Sequence, residues 1–215
     1  MHYNTCMSNV KAILERFLKN NPEPRCELDY STDFNFLVAI ILSAQTTDKR
    51  VNIVTKELFK TIKNPQDALD LGAEKFEDAI KSIGMFRTKA RNILKLSEIL
   101  VKEYGGKIPY DFDQLIRLPG IGRKTASVFL NTLTGANCIA VDTHVERLSR
   151  RLGFSRGKSP FEIENDLKML IPEEYQNRIS NWLVLHGRYV CKAKKPDCKN
   201  CMLADLCNSE DKDFG

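Results

Sequence analysis

Hydrophobic residues recur along most of this chain at the spacing of one helix face. Val10, Ile13, Leu14, Phe17 and Leu18 follow the i, i+3, i+4, i+7, i+8 stripe of an amphipathic helix, which Asn20-Asn21-Pro22-Glu23-Pro24 brings to a stop. Phe76, Ala79, Ile80 and Ile83 form a second stripe running to Gly84, a residue suited to the position after a helix end. Ile93, Leu94, Leu96, Ile99 and Leu100 form a third, closed by Gly105-Gly106 and Pro109. Ile163, Leu167, Leu170 and Ile171 end at Pro172, and Ile179, Trp182 and Leu183 follow. The run from Phe36 to Leu42 is apolar all round and reads as a buried helix, because nothing near it alternates as strands do. Only Cys138 to Val141 carries a strand-like run. There is no internal repeat, low-complexity linker or heptad. The predicted class is all-α, with about ten helices.

Composition narrows the function more than the fold. At 215 residues the chain is one large domain or two small ones, and its 11 Gly and 8 Pro are too few for a fibrous or disordered protein. Its longest apolar run falls well short of the ~20 residues that span a bilayer. The start, Met1-His2-Tyr3-Asn4-Thr5, has neither the basic region nor the apolar core of a secretory signal. Membrane and secreted classes are therefore set aside, and a cytoplasmic protein is expected. The net charge of +5 is mild, but it is unevenly spread. From Arg178 to Lys199 six basic residues stand against Asp197 alone, which is either a solvated face or a surface for a polyanion.

Two short segments carry candidate chemistry. Leu115-Ile116-Arg117-Leu118-Pro119-Gly120-Ile121-Gly122-Arg123-Lys124-Thr125-Ala126 predicts helix, tight turn, helix, within about 111–133. Pro119 would stop the first helix, and Gly120 and Gly122 would permit a turn that a Cβ obstructs. The second helix would begin near Arg123 and present its first amides, with the positive end of the dipole, to a phosphate. A plain αα-corner is the bland alternative. Lys124 falls in the first turn of that helix, where a cation is disfavoured by ~0.3–1 kcal/mol. It is either a phosphate contact or a nucleophilic amine, and a nucleophilic lysine must first lose its proton, which desolvation or a neighbouring cation such as Arg123 would favour. Asp142, just before Thr143-His144-Val145-Glu146-Arg147, reads as a helix N-cap, and Thr143 with Glu146 could form a capping box. His144 reads as a helix-surface or packing residue.

Seven cysteines without a secretory signal argue against a disulfide framework. Cys6, Cys26 and Cys138 are scattered. Cys191, Cys198, Cys201 and Cys207 lie within seventeen residues, four soft ligands that suit either a tetrahedral zinc or a cubane iron–sulfur cluster. Lys192, Lys194, Lys195 and Lys199 are interleaved with them.

Taken together, the hairpin, Leu42-Ser43-Ala44-Gln45-Thr46-Thr47-Asp48, Ala140-Val141-Asp142-Thr143-His144 and His186-Gly187-Arg188-Tyr189 are similar to the endonuclease III family of helix-hairpin-helix DNA glycosylases and abasic-site lyases, from about Ile13 to Cys207. The resemblance implies two helical lobes with a DNA-binding cleft between them. One would be 26–136, a helical barrel ending in the hairpin. The other would be 1–25 plus 137–215, carrying the aspartate and the cluster loop 191–207. It implies Lys124 as the nucleophile that attacks the sugar C1′ and forms an imine, with Asp142 as the catalytic carboxylate. It implies a [4Fe–4S] cluster on Cys191, Cys198, Cys201 and Cys207, and DNA contacts from Pro119, Gly120, Ile121, Gly122 and Arg123. Gln45 and Met85 are implied as side chains wedged into the gap left by an extruded base, although on their own they read as an ordinary polar residue and a core residue. The expected partner is double-stranded DNA bearing oxidised or ring-damaged pyrimidines, engaged by a monomer with no obligate protein partner and no membrane, in the cytoplasm with the nucleoid. Two departures stand out: Gly135-Ala136-Asn137-Cys138 lacks the proline that often precedes the aspartate, and Met85 replaces a more usual leucine. The rival readings are a glycosylase without lyase activity and a non-enzymatic iron–sulfur DNA-binding protein.

Overall fold

The hydrophobic stripes become buried helix faces in the computed structural model, which describes residues 2–214, with side chains from Asn9 onward. Cys6 lies outside the described side chains. Eleven helices and no strand are found among the described residues. The segment from Cys138 to Val141 forms no strand, and Cys138 N–H bonds back to the Ala136 carbonyl at 2.7 Å. Instead Ala140 N–H donates to the Ser180 hydroxyl at 2.9 Å, which satisfies a buried amide without a ladder. No helix among these residues is long and apolar enough to cross a membrane.

The chain divides into two compact units. One spans Cys26–Thr134 and is organised around α2 (Asp33–Ser43), whose residues from Phe34 to Leu42 are all buried. A helix buried on every face needs no amphipathic pattern, which is why Phe36 to Leu42 shows none. Its one polar residue in that run, Asn35, is satisfied by donating to the Ile62 carbonyl at 2.9 Å and accepting from the Ser31 hydroxyl at 2.8 Å. Three helices pack against α2: α3 (Asp48–Thr61), α6 (Phe86–Tyr104) and α8 (Arg123–Thr134). Alongside α6 lie α4 (Pro65–Leu71) and α5 (Ala73–Ile80).

The other unit joins the chain up to Arg25 with everything from Gly135 onward. Its core gathers Ile13, Leu14 and Phe17 of α1 (His2–Asn20) with Leu148 of α9 (Thr143–Arg151), Leu167 of α10 (Pro160–Leu170) and Trp182 of α11 (Glu173–Tyr189). Phe17 stacks on Trp182, with ring centroids 5.6 Å apart and planes 9° apart, while Trp182 Nε1 donates to the Asn21 carbonyl at 2.7 Å. The terminal helix is thus held to the distant α11 by apolar area and one satisfied polar tip. At its outer side Arg16 forms a two-pronged ion pair with Asp205 and donates to the Met202 carbonyl at 2.6 Å, which ties α1 to the cysteine-rich loop.

Candidate functional site

The hairpin forms, with a shorter first arm than the sequence predicts. α7 (Phe112–Leu115) ends before Pro119, which sits half-buried in the turn and so does not terminate the helix. The reason is local: Leu118 N–H bonds back to the Leu115 carbonyl at 3.0 Å, so the chain has already left the helix. Leu118 and Ile121, on either side of Pro119-Gly120, are buried and anchor the turn. The two glycines differ. Gly120 has φ +80°, and a Cβ there would lie 3.0 Å from the Asn92 Cβ of α6, so both backbone and space demand glycine. Gly122 has no such φ and nothing within 4 Å, which corrects the steric role expected of it.

That contrast gives a stability prediction. Gly120→Ala should cost about 1–2 kcal/mol, because a left-handed backbone and a close contact act together. In a chain of this size that lowers Tm by roughly 2–8 °C. Gly122→Ala should stay within ~0.5 kcal/mol of the parent. Thermal melts of both variants check the pair.

Gly122 accepts the first bond of α8, from Ala126 N–H at 3.0 Å, so the helix proper starts at Arg123. The N–H groups of its first turn have no acceptor within the helix, and no acidic side chain stands there to answer the dipole. Arg123 and Lys124 occupy that turn and are exposed, and the Arg123 guanidinium lies over the Phe112 ring, 4.9 Å from its centroid. The end of the hairpin is therefore an outward-facing, positively charged helix start.

Asp142 is the N-cap of α9. Its Oδ1 accepts from His144 N–H at 2.8 Å and from Val145 N–H at 2.9 Å. This cap replaces the Thr143–Glu146 capping box suggested by the sequence; Glu146 instead pairs with Arg150 at 2.9 Å. Asp142 and Lys124 belong to different units. One turn into α9, Arg147 connects the cap to the cysteine loop. It donates to the Gly187 carbonyl at 2.9 Å and, from two nitrogens, to the Cys191 carbonyl at 3.1 and 3.2 Å, and it lies 3.2 Å from His144 Nδ1. Gly187 leaves room for these contacts, since a Cβ there would lie 3.0 Å from the Arg147 and His144 side chains, which would have to shift. Burial lowers the pKa of His144, with the Asp142 carboxylate opposing it. Sequence reasoning passed over Arg147, although a cation five residues past the cap was visible.

Cys191, Cys198, Cys201 and Cys207 carry free thiols and line one pocket together with His186 and Leu203. N–H groups converge on these sulfurs. Arg151 Nη1 lies 3.3 Å from Cys191 Sγ, Leu203 N–H 3.4 Å from Cys201 Sγ, and Asp213 N–H 3.3 Å from Cys198 Sγ. Burial raises the Cys201 pKa, the Leu203 N–H opposes the rise, and the three other cysteines add to it. Burial also pushes His186 down to about 4, keeping its ring neutral beside Cys201. No group of three His, Cys, Asp or Glu side chains among the described residues is set to hold a metal ion. The donor chemistry nonetheless fits a cluster: four soft sulfurs, each of three receiving an N–H, facing an otherwise largely apolar wall. A cubane holds its thiolates farther apart than a single ion does. The interleaved Lys192, Lys194, Lys195 and Lys199 are all exposed.

Gln45 and Met85 are exposed, and both have a left-handed backbone at φ 55°, a conformation otherwise seen at only one non-glycine among the described residues, Lys195. Met85, 53% exposed, is thus not the core residue its apolar character suggests. Holding a non-glycine there costs of order 1 kcal/mol, the kind of strain that gathers at working surfaces. Lys89, buried on α6 beneath both loops, was not singled out from the sequence.

Comparison with known proteins places the chain among DNA repair proteins. Residues 38–173 match the HhH-GPD superfamily of base excision DNA repair proteins. The endonuclease III of Rickettsia conorii is 50% identical over 199 residues, covering 93% of this chain and 95% of that one. The endonuclease III of Bacillus subtilis is 46% identical over 210 residues, covering 96% of each. Among solved structures, a trapped endonuclease III–DNA covalent intermediate superimposes with a TM-score of 0.88 at 44% identity, covering 94% of this chain and 95% of that one.

Proposed function

The chain belongs to the HhH-GPD superfamily of base excision DNA repair proteins, with endonuclease III as its near relative, and we propose that it is a bifunctional DNA glycosylase and abasic-site lyase acting on duplex DNA. The observation that carries this reading is Lys124 on the first turn of α8, at the exit of the hairpin, in a chain related over nearly its whole length to an enzyme trapped covalently on DNA. A lysine there opposes the helix dipole, so it has a reason beyond folding.

Of the hairpin residues, Gly120, Gly122 and Arg123 bring backbone amides and a guanidinium to the phosphates, while Pro119, which has no N–H, and Ile121, whose N–H is bonded to the Leu118 carbonyl at 3.1 Å, shape the turn that presents them; such contacts fix register without reading sequence. Docked DNA covers Lys124 and strips the water that surrounds it in the free protein. The substrate is a duplex with an oxidised or ring-damaged pyrimidine, extruded from the stack at a cost of a few kcal/mol. Gln45 and Met85 offset that cost by filling the gap. The Lys124 amine attacks C1′ and the damaged base leaves, taking up a proton; the nitrogen then gives up its proton as the C1′–O4′ bond opens and O4′ is protonated, and the imine so formed acidifies the C2′ proton. Loss of that proton breaks the bond to the 3′ oxygen. Asp142 serves as the carboxylate that stabilises positive charge at C1′ or relays protons. The enzyme works as a monomer in the cytoplasm, held at the nucleoid by its substrate.

Cys191, Cys198, Cys201 and Cys207 would hold a [4Fe–4S] cluster, whose contribution is to fix the loop and its four lysines against phosphate. Protein purified without oxygen should be brown and carry about four irons per chain. Cys201→Ala should lose the colour and most of the iron, with weaker binding to any duplex; a colourless native protein with bound zinc would remove the cubane.

The function itself is tested with a duplex holding one oxidised pyrimidine. Strand scission at the lesion without added alkali is expected. Release of the base with an intact strand would identify the base-only glycosylase, and binding without release would identify a non-enzymatic protein.

A further inference from the structure

Lys89 is the one buried lysine among the described residues, 4% exposed at the N-terminal end of the α6 stripe formed with Ile93, Leu96 and Leu100. A leucine or methionine at that position would continue the apolar face. The lysine instead carries its ammonium to the end of α2, where Nζ donates to the Leu42 carbonyl at 2.9 Å, the Ala44 carbonyl at 2.6 Å and the Thr46 hydroxyl at 3.4 Å. All three oxygens belong to the C-terminal end of α2 and the loop that follows it, where the helix dipole favours a cation. Burial lowers the Lys89 pKa, and no carboxylate opposes it. Burying a charge without a counter-ion is costly, so a position that keeps one has something specific to hold.

What it holds is a pair of loops. The Nζ clamp encloses Gln45 between Ala44 and Thr46. The backbone N–H of the same lysine donates to the Met85 carbonyl at 3.0 Å, in the first turn of α6. The Gly84-Met85 turn also lies against the Gln45 loop, since a Cβ on Gly84 would come within 3.9 Å of the Gln45 carbonyl. Gln45 and Met85 thus sit on two separate loops, both in left-handed backbone, tied through one residue.

We infer that Lys89 is a positioning residue that holds Gln45 and Met85 at a fixed separation, ready to enter the duplex stack together when the damaged base is extruded. The inference rests on the proposed role of those two side chains. Preorganising them removes the ordering cost that would otherwise fall on the extrusion step. Lys89 touches neither base nor sugar.

The test measures single-turnover excision of one oxidised pyrimidine from a duplex, fluorescence of a 2-aminopurine beside the lesion, and cleavage of an abasic site in single-stranded DNA, which has no stack to fill. Lys89→Met is expected to slow duplex excision by ~10–100-fold and to suppress the 2-aminopurine signal, while single-strand cleavage stays within about twofold. In a Gln45→Ala background, Lys89→Met should cost no more than about threefold further, because the residue acts through the loop. Equal losses on duplex and single strand, or the full loss persisting in the Gln45→Ala background, overturn the positioning role. If Gln45→Ala and Met85→Ala each excise at the native rate, the stack-filling reading fails first, and the inference falls with it. Should Lys89→Met fail to fold, Thr46→Val on the loop side of the clamp is read by the same duplex to single-strand ratio, with equal rates on both again overturning the role.

Discussion

Lys124→Ala is expected to give no borohydride-stable adduct with a duplex carrying an oxidised pyrimidine, and to excise that base on the order of 10³-fold more slowly or worse. Borohydride reduces an imine to a stable amine, so the adduct reports the bond between the amine and C1′ and nothing else. The alternative role of Lys124, a phosphate contact, makes a different forecast. Loss of one such contact weakens binding to all duplexes alike and lowers the salt slope by about one, leaving the chemistry intact on bound DNA. Lys124→Arg separates the two, because a guanidinium keeps the charge and the phosphate contact but is never deprotonated. It should bind DNA nearly as well as the parent and trap nothing. An adduct that survives in Lys124→Arg would place the nucleophile on another residue.

The same substitution has an expected effect on the fold, of opposite sign. The first turn of α8 holds no acidic residue and two cations, so Lys124→Ala removes a charge from the wrong end of the dipole. Stability should be unchanged or rise by ~0.3–1 kcal/mol, seen as a slightly higher Tm. An inactive variant that melts no lower than its parent rules out misfolding as the cause.

Most of what is local in this molecule was legible in the sequence. The stripe of α1 and the all-apolar run of α2 are burial written at helical spacing, and burial followed. The second stripe was legible only in part: Phe76 and Ile80 are buried in α5, but Ala79 is exposed and Ile83 falls beyond the helix end. The hairpin showed through its glycines, yet the sequence could not say which of them is required. Gly120 owes its constraint to Asn92, a residue of another helix, and Gly122 has no such neighbour. Lys89 shows the limit most clearly. A lysine on an apolar stripe was visible as an anomaly, but its acceptors are mainly backbone carbonyls, which every residue possesses and no motif marks. The left-handed backbones of Gln45 and Met85 were equally silent, because glutamine and methionine announce no preference for them. Where a side chain answers a neighbour in its own helix, sequence suffices; where it answers a distant backbone, only the fold supplies the partner.

Asp142→Asn is expected to slow excision by ~10²–10⁴-fold with almost no change in Tm. The carboxylate has two separable tasks. As N-cap it accepts the His144 and Val145 amides through one oxygen, and asparagine supplies an equivalent oxygen and caps as well as aspartate does. As the proposed catalytic group it needs negative charge, to stabilise cationic character at C1′ or to take up protons, and asparagine has none. Asp142→Ala removes both, so it should show the same kinetic loss plus ~0.5–2 kcal/mol of destabilisation from the uncapped helix. Single-turnover excision and thermal melts on the two variants form a grid. If asparagine restores both stability and rate, Asp142 is a cap alone, and the carboxylate must be sought elsewhere. If asparagine restores stability but not rate, the charge itself is what the chemistry uses. The intermediate then identifies the step: a variant still trapped by borohydride but slow to break the strand places the carboxylate at elimination, whereas one that traps slowly places it at the attack on C1′.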